Sequence, residues 1–143
     1  MLRRGARRSQ SGAVAVEFAL VLPILLTLLF GIIEFGLMMY DKALLTNASR
    51  EAARAGIVLR NPKPTVAAIQ AVATSYCSNL ITFGTATSPV VNVTQPGTSG
   101  SVLSVTVTYD YKMLVIGQLL KILGPGTFTN PIRLSATAAM INE

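Results

Sequence analysis

Residues Ala13–Gly36, AVAVEFALVLPILLTLLFGIIEFG, decide how this chain is read. Only Glu17 and Glu34 are charged in that stretch. As a helix it is about 36 Å long, enough to cross the hydrocarbon core of a bilayer. Arg3, Arg4, Arg7 and Arg8 precede it, and no basic residue follows until Lys42. The positive-inside rule therefore predicts a cytoplasmic N-terminus and an extracytoplasmic C-terminal part. Pro23 removes one helical hydrogen bond and crowds the preceding turn, which predicts a kink or local break.

Working outward, the composition fits an apolar excess placed in one segment. The 143 residues are 51% hydrophobic and 13% charged, about half the charged share of an ordinary soluble domain. Intrinsic disorder needs the opposite balance and is excluded. There is no histidine and a single cysteine, Cys77, so no disulfide forms within the chain. The net charge of +6 owes most to the four leading arginines. With 6% aromatics and no basic patch in the folded part, the chain lacks what a nucleic-acid surface requires. No phosphate-binding glycine loop and no Cys/His cluster with metal spacing is present. Glu17 and Glu34 lie about 26 Å apart along one helix, too far for a catalytic carboxylate pair. The sequence thus argues against an enzyme, and no catalytic residue, cofactor, metal or small-molecule substrate is expected.

An ordinary secretory signal has a short apolar core followed by a small-residue cleavage site. Here the apolar run is too long, and the small residue, Gly12, stands before it. Glu17 separates the remaining possibilities. A carboxylate at the bilayer centre costs about 3 kcal/mol and less near the interface, so it either rests among headgroups or has a partner. It is the fifth residue counted from a cut after Gly12. The arrangement RRGARRSQSG–AVAVEFALVLP resembles the class III signal of type IV prepilins. Downstream, the helix with its GIIEFG end and the stretch ALLTNASREAARAG resemble the TadE-like family of pseudopilins. That family belongs to the Tad apparatus, which builds Flp-type pili. The shared features are Gly12, Glu17-Phe18, Pro23, the Gly31–Gly36 stretch and Ala48–Gly56; the closing LSATAAMINE is also similar. Residues from about Asn61 to Pro131 match only in general character, and Phe18 stands where major Flp pilins often carry tyrosine.

The resemblance implies a minor pseudopilin, cut by a prepilin peptidase between Gly12 and Ala13, with Glu17 and Phe18 as determinants of processing and assembly. Implied partners are that peptidase, a related second pseudopilin, other Tad/Flp pilus components and membrane lipid. The implied location is the bacterial inner membrane, single-pass, with a role in pilus assembly and surface adherence. The alternative is an uncleaved single-pass protein whose outer domain scaffolds or binds an envelope complex.

The expected architecture is α+β and pilin-like. Residues 1–12 form a basic leader, 13–36 the membrane helix, 37–60 an amphipathic extension and 61–143 an extracytoplasmic domain. In the extension, Leu37, Leu44, Leu45, Ala48, Ala52 and Ala55 share one face. Asn61-Pro-Lys-Pro64 ends it. A second helix is expected over about Thr65 to Leu80, with Val66, Ile69, Val72, Tyr76 and Leu80 inward and Thr65 at its start. Cys77 reads as a buried thiol. Val91–Thr94 and the alternating Leu103–Tyr111 read as a hairpin about the Pro96–Gly100 turn. Met113–Leu123 reads as a short apolar helix or excursion, closed by Gly124-Pro-Gly126. Alternation at Ile132, Leu134, Ala136, Ala138 and Met140 gives the last strand.

Overall fold

A computed structural model describes residues 7–58, 61–83, 87–94, 98–118 and 131–142, with side chains from Gly12 onward. One helix, α1 (Arg7–Ile57), dominates it with 51 residues, a length of about 76 Å. Of the kink or local break expected at Pro23, the break does not occur: α1 passes through that residue as helix. Proline deletes only its own N–H bond, and the ladder resumes one turn later. There Thr27 Oγ1 donates to the Pro23 carbonyl at 2.6 Å. Nor does any change of secondary structure mark the 12/13 or 36/37 boundary.

The second helix, α2 (Val66–Tyr76), starts on Thr65, whose hydroxyl accepts the Ala68 N–H at 3.2 Å as an N-cap. It tightens into a 3-10 turn, Cys77–Asn79. Its buried residues are Ile69 and Ala73, followed by Cys77 in the turn. The inward face is therefore rotated from the expected one: Val66 and Tyr76 are exposed, and Val72 and Leu80 only half-buried. Close approach to α1 is the reason. A Cβ on Gly56 of α1 would lie 2.9 Å from Ile69 Cδ1 and 2.7 Å from Leu103 Cδ2. Where helices come that near, a glycine on one leaves room for a larger side chain on the other.

Three antiparallel strands, β1 (Val90–Thr94), β2 (Val102–Tyr111) and β3 (Ile132–Ile141), form a sheet in the order β1-β2-β3. Val91 pairs with Val107, and Val105 with Ala138. Alternation in β2 puts Leu103, Val105, Val107, Tyr109 and Tyr111 on one face, all buried. Leu134, Ala136 and Ala138 of β3 extend that face, and the small size of the two alanines admits α1 across the sheet. Ser104, Thr106, Thr108 and Asp110 lie on the other side, where Asp110 pairs with Arg133 at 3.1 Å. Gly100, with φ of +79°, makes the turn before β2 that a side chain would strain. Its N–H donates to the Asn142 carbonyl at 2.8 Å, tying the turn to the end of β3.

The outcome is the expected α+β arrangement of a long apolar helix, a second helix and a three-stranded antiparallel sheet. Residues 113–118 leave β2 and fold back toward α1, with helical geometry at 116–118. The remainder of the expected Met113–Leu123 excursion and the Gly124-Pro-Gly126 turn lie outside the described residues.

Candidate functional site

The helix α1 has two unlike halves. From Gly12 to Ile33 its residues are exposed or half-buried, including Val14, Phe18, Leu20, Ile24, Leu28 and Ile32. The most apolar window there has a mean hydropathy of 2.5 and is 0% buried. A surface of that kind in water would aggregate, whereas in lipid it is solvated. From Glu34 onward a stripe turns inward at Glu34, Asp41, Leu45, Ala48 and Ala52. These positions share one side of a helix, and the sheet and α2 close over it.

All four residues singled out from the sequence lie on the bare half. Gly12, Ala13, Glu17 and Phe18 are exposed, and nothing lies within 4 Å of where a Gly12 Cβ would be. Ala13 and Glu17 stand one turn apart on the helix. Among the described residues Glu17 makes no ion pair, and the α+β domain does not reach this region. The helix brings these four residues together, and no other element among the described residues joins them.

Two buried carboxylates, whose structural role the sequence reading missed, fix where the domain sits on the helix. Glu34 is 4% exposed. Its Oε1 accepts the backbone N–H groups of Leu114 and Val115, each at 2.6 Å. Its Oε2 accepts the N–H of Ile116 at 3.2 Å. The carboxylate thus takes up donors that open the turn at 114–118, as an N-cap does from within a chain. Seven residues on, Asp41 is 0% exposed and accepts the Ile81 N–H at 2.9 Å through Oδ1. Among the described residues its Oδ2 has no hydrogen-bond partner, and burial raises its pKa above the usual carboxylate value, only partly opposed by the Ile81 bond. Tyr111 is pushed up to about 12 by burial and by the neighbouring Glu34 and Asp41 carboxylates. A carboxylate inside an apolar run must find donors, and that requirement was the available signal for Glu34.

Among the described residues no group of His, Cys, Asp or Glu is arranged to hold a metal ion. Cys77 is buried, and burial raises its thiol pKa, which disfavours the thiolate.

The family model described as "TadE-like protein" matches residues 12–54. Over that segment the chain is similar to TadE-like proteins. The match opens at Gly12, runs the length of the bare half and ends on the buried stripe, so it includes Glu17, Phe18, Glu34 and Asp41. TadE-like proteins are associated with the Tad pilus, and an apolar helix able to span a membrane agrees with that association. The β strands and α2 fall outside the TadE-like match. No curated protein and no solved structure matches the chain.

Proposed function

We propose that this protein is a minor pseudopilin of a Tad/Flp-type pilus, made as a precursor and cut by a prepilin peptidase between Gly12 and Ala13. It rests in the inner membrane with its N-terminus cytoplasmic and its α+β domain outside. There it acts with a related second pseudopilin in pilus assembly and surface adherence. The observation that carries this reading is the division of α1. A TadE-like helix stands bare for about 30 Å, while its continuation is gripped by a small domain. That is a body built to be held by lipid before assembly and by neighbouring helices after it.

Deleting the gene in a strain that makes Tad pili tests the reading. Loss of surface pili and of attachment, both restored by the intact gene, is expected. Normal piliation without the protein would count against it. The alternative, an uncleaved single-pass scaffold of an envelope complex, predicts that the Arg-rich leader stays attached.

A further inference from the structure

The segment 113–118 (MLVIGQ) is apolar at four of its six positions, yet only Gly117 within it is fully buried. Leu114 is 52% exposed, and Val115 and Ile116 are half-buried. The Ile116 side chain lies against α1, with Cδ1 3.5 Å from where a Gly31 Cβ would be. Ile116 and Thr27, Leu28, Gly31, Ile32 and Phe35 line an open groove of about 480 Å³.

Depth gives this placement its meaning. Glu34 lies about 32 Å along the helix from Ala13, so a bilayer entered at Ala13 is left near Glu34. Gly31, which Ile116 overlies, is about 4.5 Å deeper. Backbone N–H groups that enter that boundary lose water and need an acceptor, and a carboxylate there needs donors. Glu34 and the N–H groups of Leu114, Val115 and Ile116 answer both needs at once.

We propose that residues 113–118 form an interfacial loop that enters the membrane boundary beside α1, its exposed leucine and its groove filled by lipid hydrocarbon, with Glu34 holding it at that level. This rests on the reading of α1 as membrane-spanning. Lipid is the occupant because the groove continues the bare apolar surface of α1. At Gly31, where a neighbouring helix would pack closest, the chain's own Ile116 already stands. The loop gives the domain a second hold on the membrane and fixes its rotation about the helix.

The chain has no tryptophan, so single-tryptophan variants report on depth. Full-length Ile24→Trp, Leu114→Trp and Thr98→Trp are placed separately in phosphatidylcholine vesicles with acyl chains brominated either near the headgroup or near the bilayer centre. The Ile24→Trp emission is expected to be quenched most by the deep bromines. Leu114→Trp is expected to be blue-shifted from its emission in water and quenched at least twofold, most by the shallow bromines. Thr98→Trp, in the turn before β2, is expected to stay unquenched. In a Glu34→Ala background the Leu114→Trp quenching is expected to fall by half or more.

Quenching of Ile24→Trp with a water-like, unquenched Leu114→Trp overturns the loop proposal and leaves the spanning helix standing. A blue-shifted Leu114→Trp that lipid does not quench, and that reddens as the protein is diluted in lipid, also overturns it, in favour of a second copy. An unquenched Ile24→Trp overturns the membrane-spanning reading itself. Should Leu114→Trp fail to fold, Leu114→Cys takes its place. Labelling by a membrane-impermeant maleimide at least tenfold slower than for Thr98→Cys is expected, and equal rates overturn the proposal.

Discussion

Glu34 and Leu114, eighty positions apart, are joined by a 2.6 Å hydrogen bond from the Leu114 backbone N–H to the Glu34 carboxylate. The same carboxylate holds the next two N–H groups, so one side chain organises the return of the chain from β2 to the helix. Glu34→Ala strands these donors and is expected to cost about 3 kcal/mol, since bonds to a charged acceptor are worth more than neutral ones. Glu34→Gln keeps the shape and one acceptor oxygen, and its expected loss is about half as large. Denaturant unfolding in detergent micelles measures both, and equal stability of all three proteins would contradict this role.

Asp41 contributes with a definite sign to pH dependence. Its folded pKa is raised above 3.8, so between the unfolded and folded values the native state binds more protons than the unfolded chain. Stability from this group is highest below 3.8 and falls as pH rises through the folded value. Among the described residues, Tyr109 and Tyr111 on β2 face it and add no positive charge to reverse that sign. Asp41→Asn can retain the bond from Ile81 and removes the titration. Its stability relative to wild type is expected to improve as pH is raised from 3.5 towards neutrality, a trend that paired melts across the range will show or refute.

Gly56 is a close contact between α1, α2 and β2. An alanine Cβ meets only the flexible ends of Leu103 and Ile69, and the gain in helix propensity of about 1 kcal/mol offsets the crowding. Gly56→Ala is therefore expected to be close to neutral. Gly56→Val adds two methyl groups to a filled contact and is expected to cost about 2–3 kcal/mol. Unfolding midpoints in the reverse order would place the contact elsewhere.

The sheet was legible in the sequence because one of its faces is covered and the other is not. Leu103, Val105, Val107, Tyr109 and Tyr111 alternate with polar residues for that reason, and the β3 pattern follows from the same cause. The inward face of α2 was misread because its centre is an alanine. Size-weighted patterns favour Val66 and Tyr76, whereas the buried positions are Ile69, which lies against Gly56, and Ala73. Pro23 promised a break that the helix absorbs at the loss of a single bond. Gly12, Ala13, Glu17 and Phe18 were legible as a motif on an apolar helix. The work of Glu34 and Asp41 was hidden, because their partners are backbone N–H groups that no side-chain pattern reveals.

Glu17 has no partner of its own among the described residues and lies on the bare half of α1. Cutting after Gly12 creates an α-amine on Ala13, mostly protonated at neutral pH. In an assembly, Glu17 facing the amine of an adjacent subunit would take both charges out of water together, and loss of one would leave the other unpaired at a cost of about 3–5 kcal/mol. Glu17→Ala and Glu17→Gln are expected to insert and to be cut, yet to fail to join their pseudopilin partners. Co-purification at wild-type yield, with normal pili, would leave Glu17 as a headgroup-level residue only.

Processing itself is the central claim, and the mass of the protein extracted from its native membrane tests it most directly. The wild-type chain is expected to begin at Ala13, free of its leader and its four arginines. Gly12→Val, which leaves the apolar helix untouched, is expected to insert and to keep the leader. A wild-type protein that retains the intact Arg-rich N-terminus, in cells that contain an active prepilin peptidase, would contradict the account.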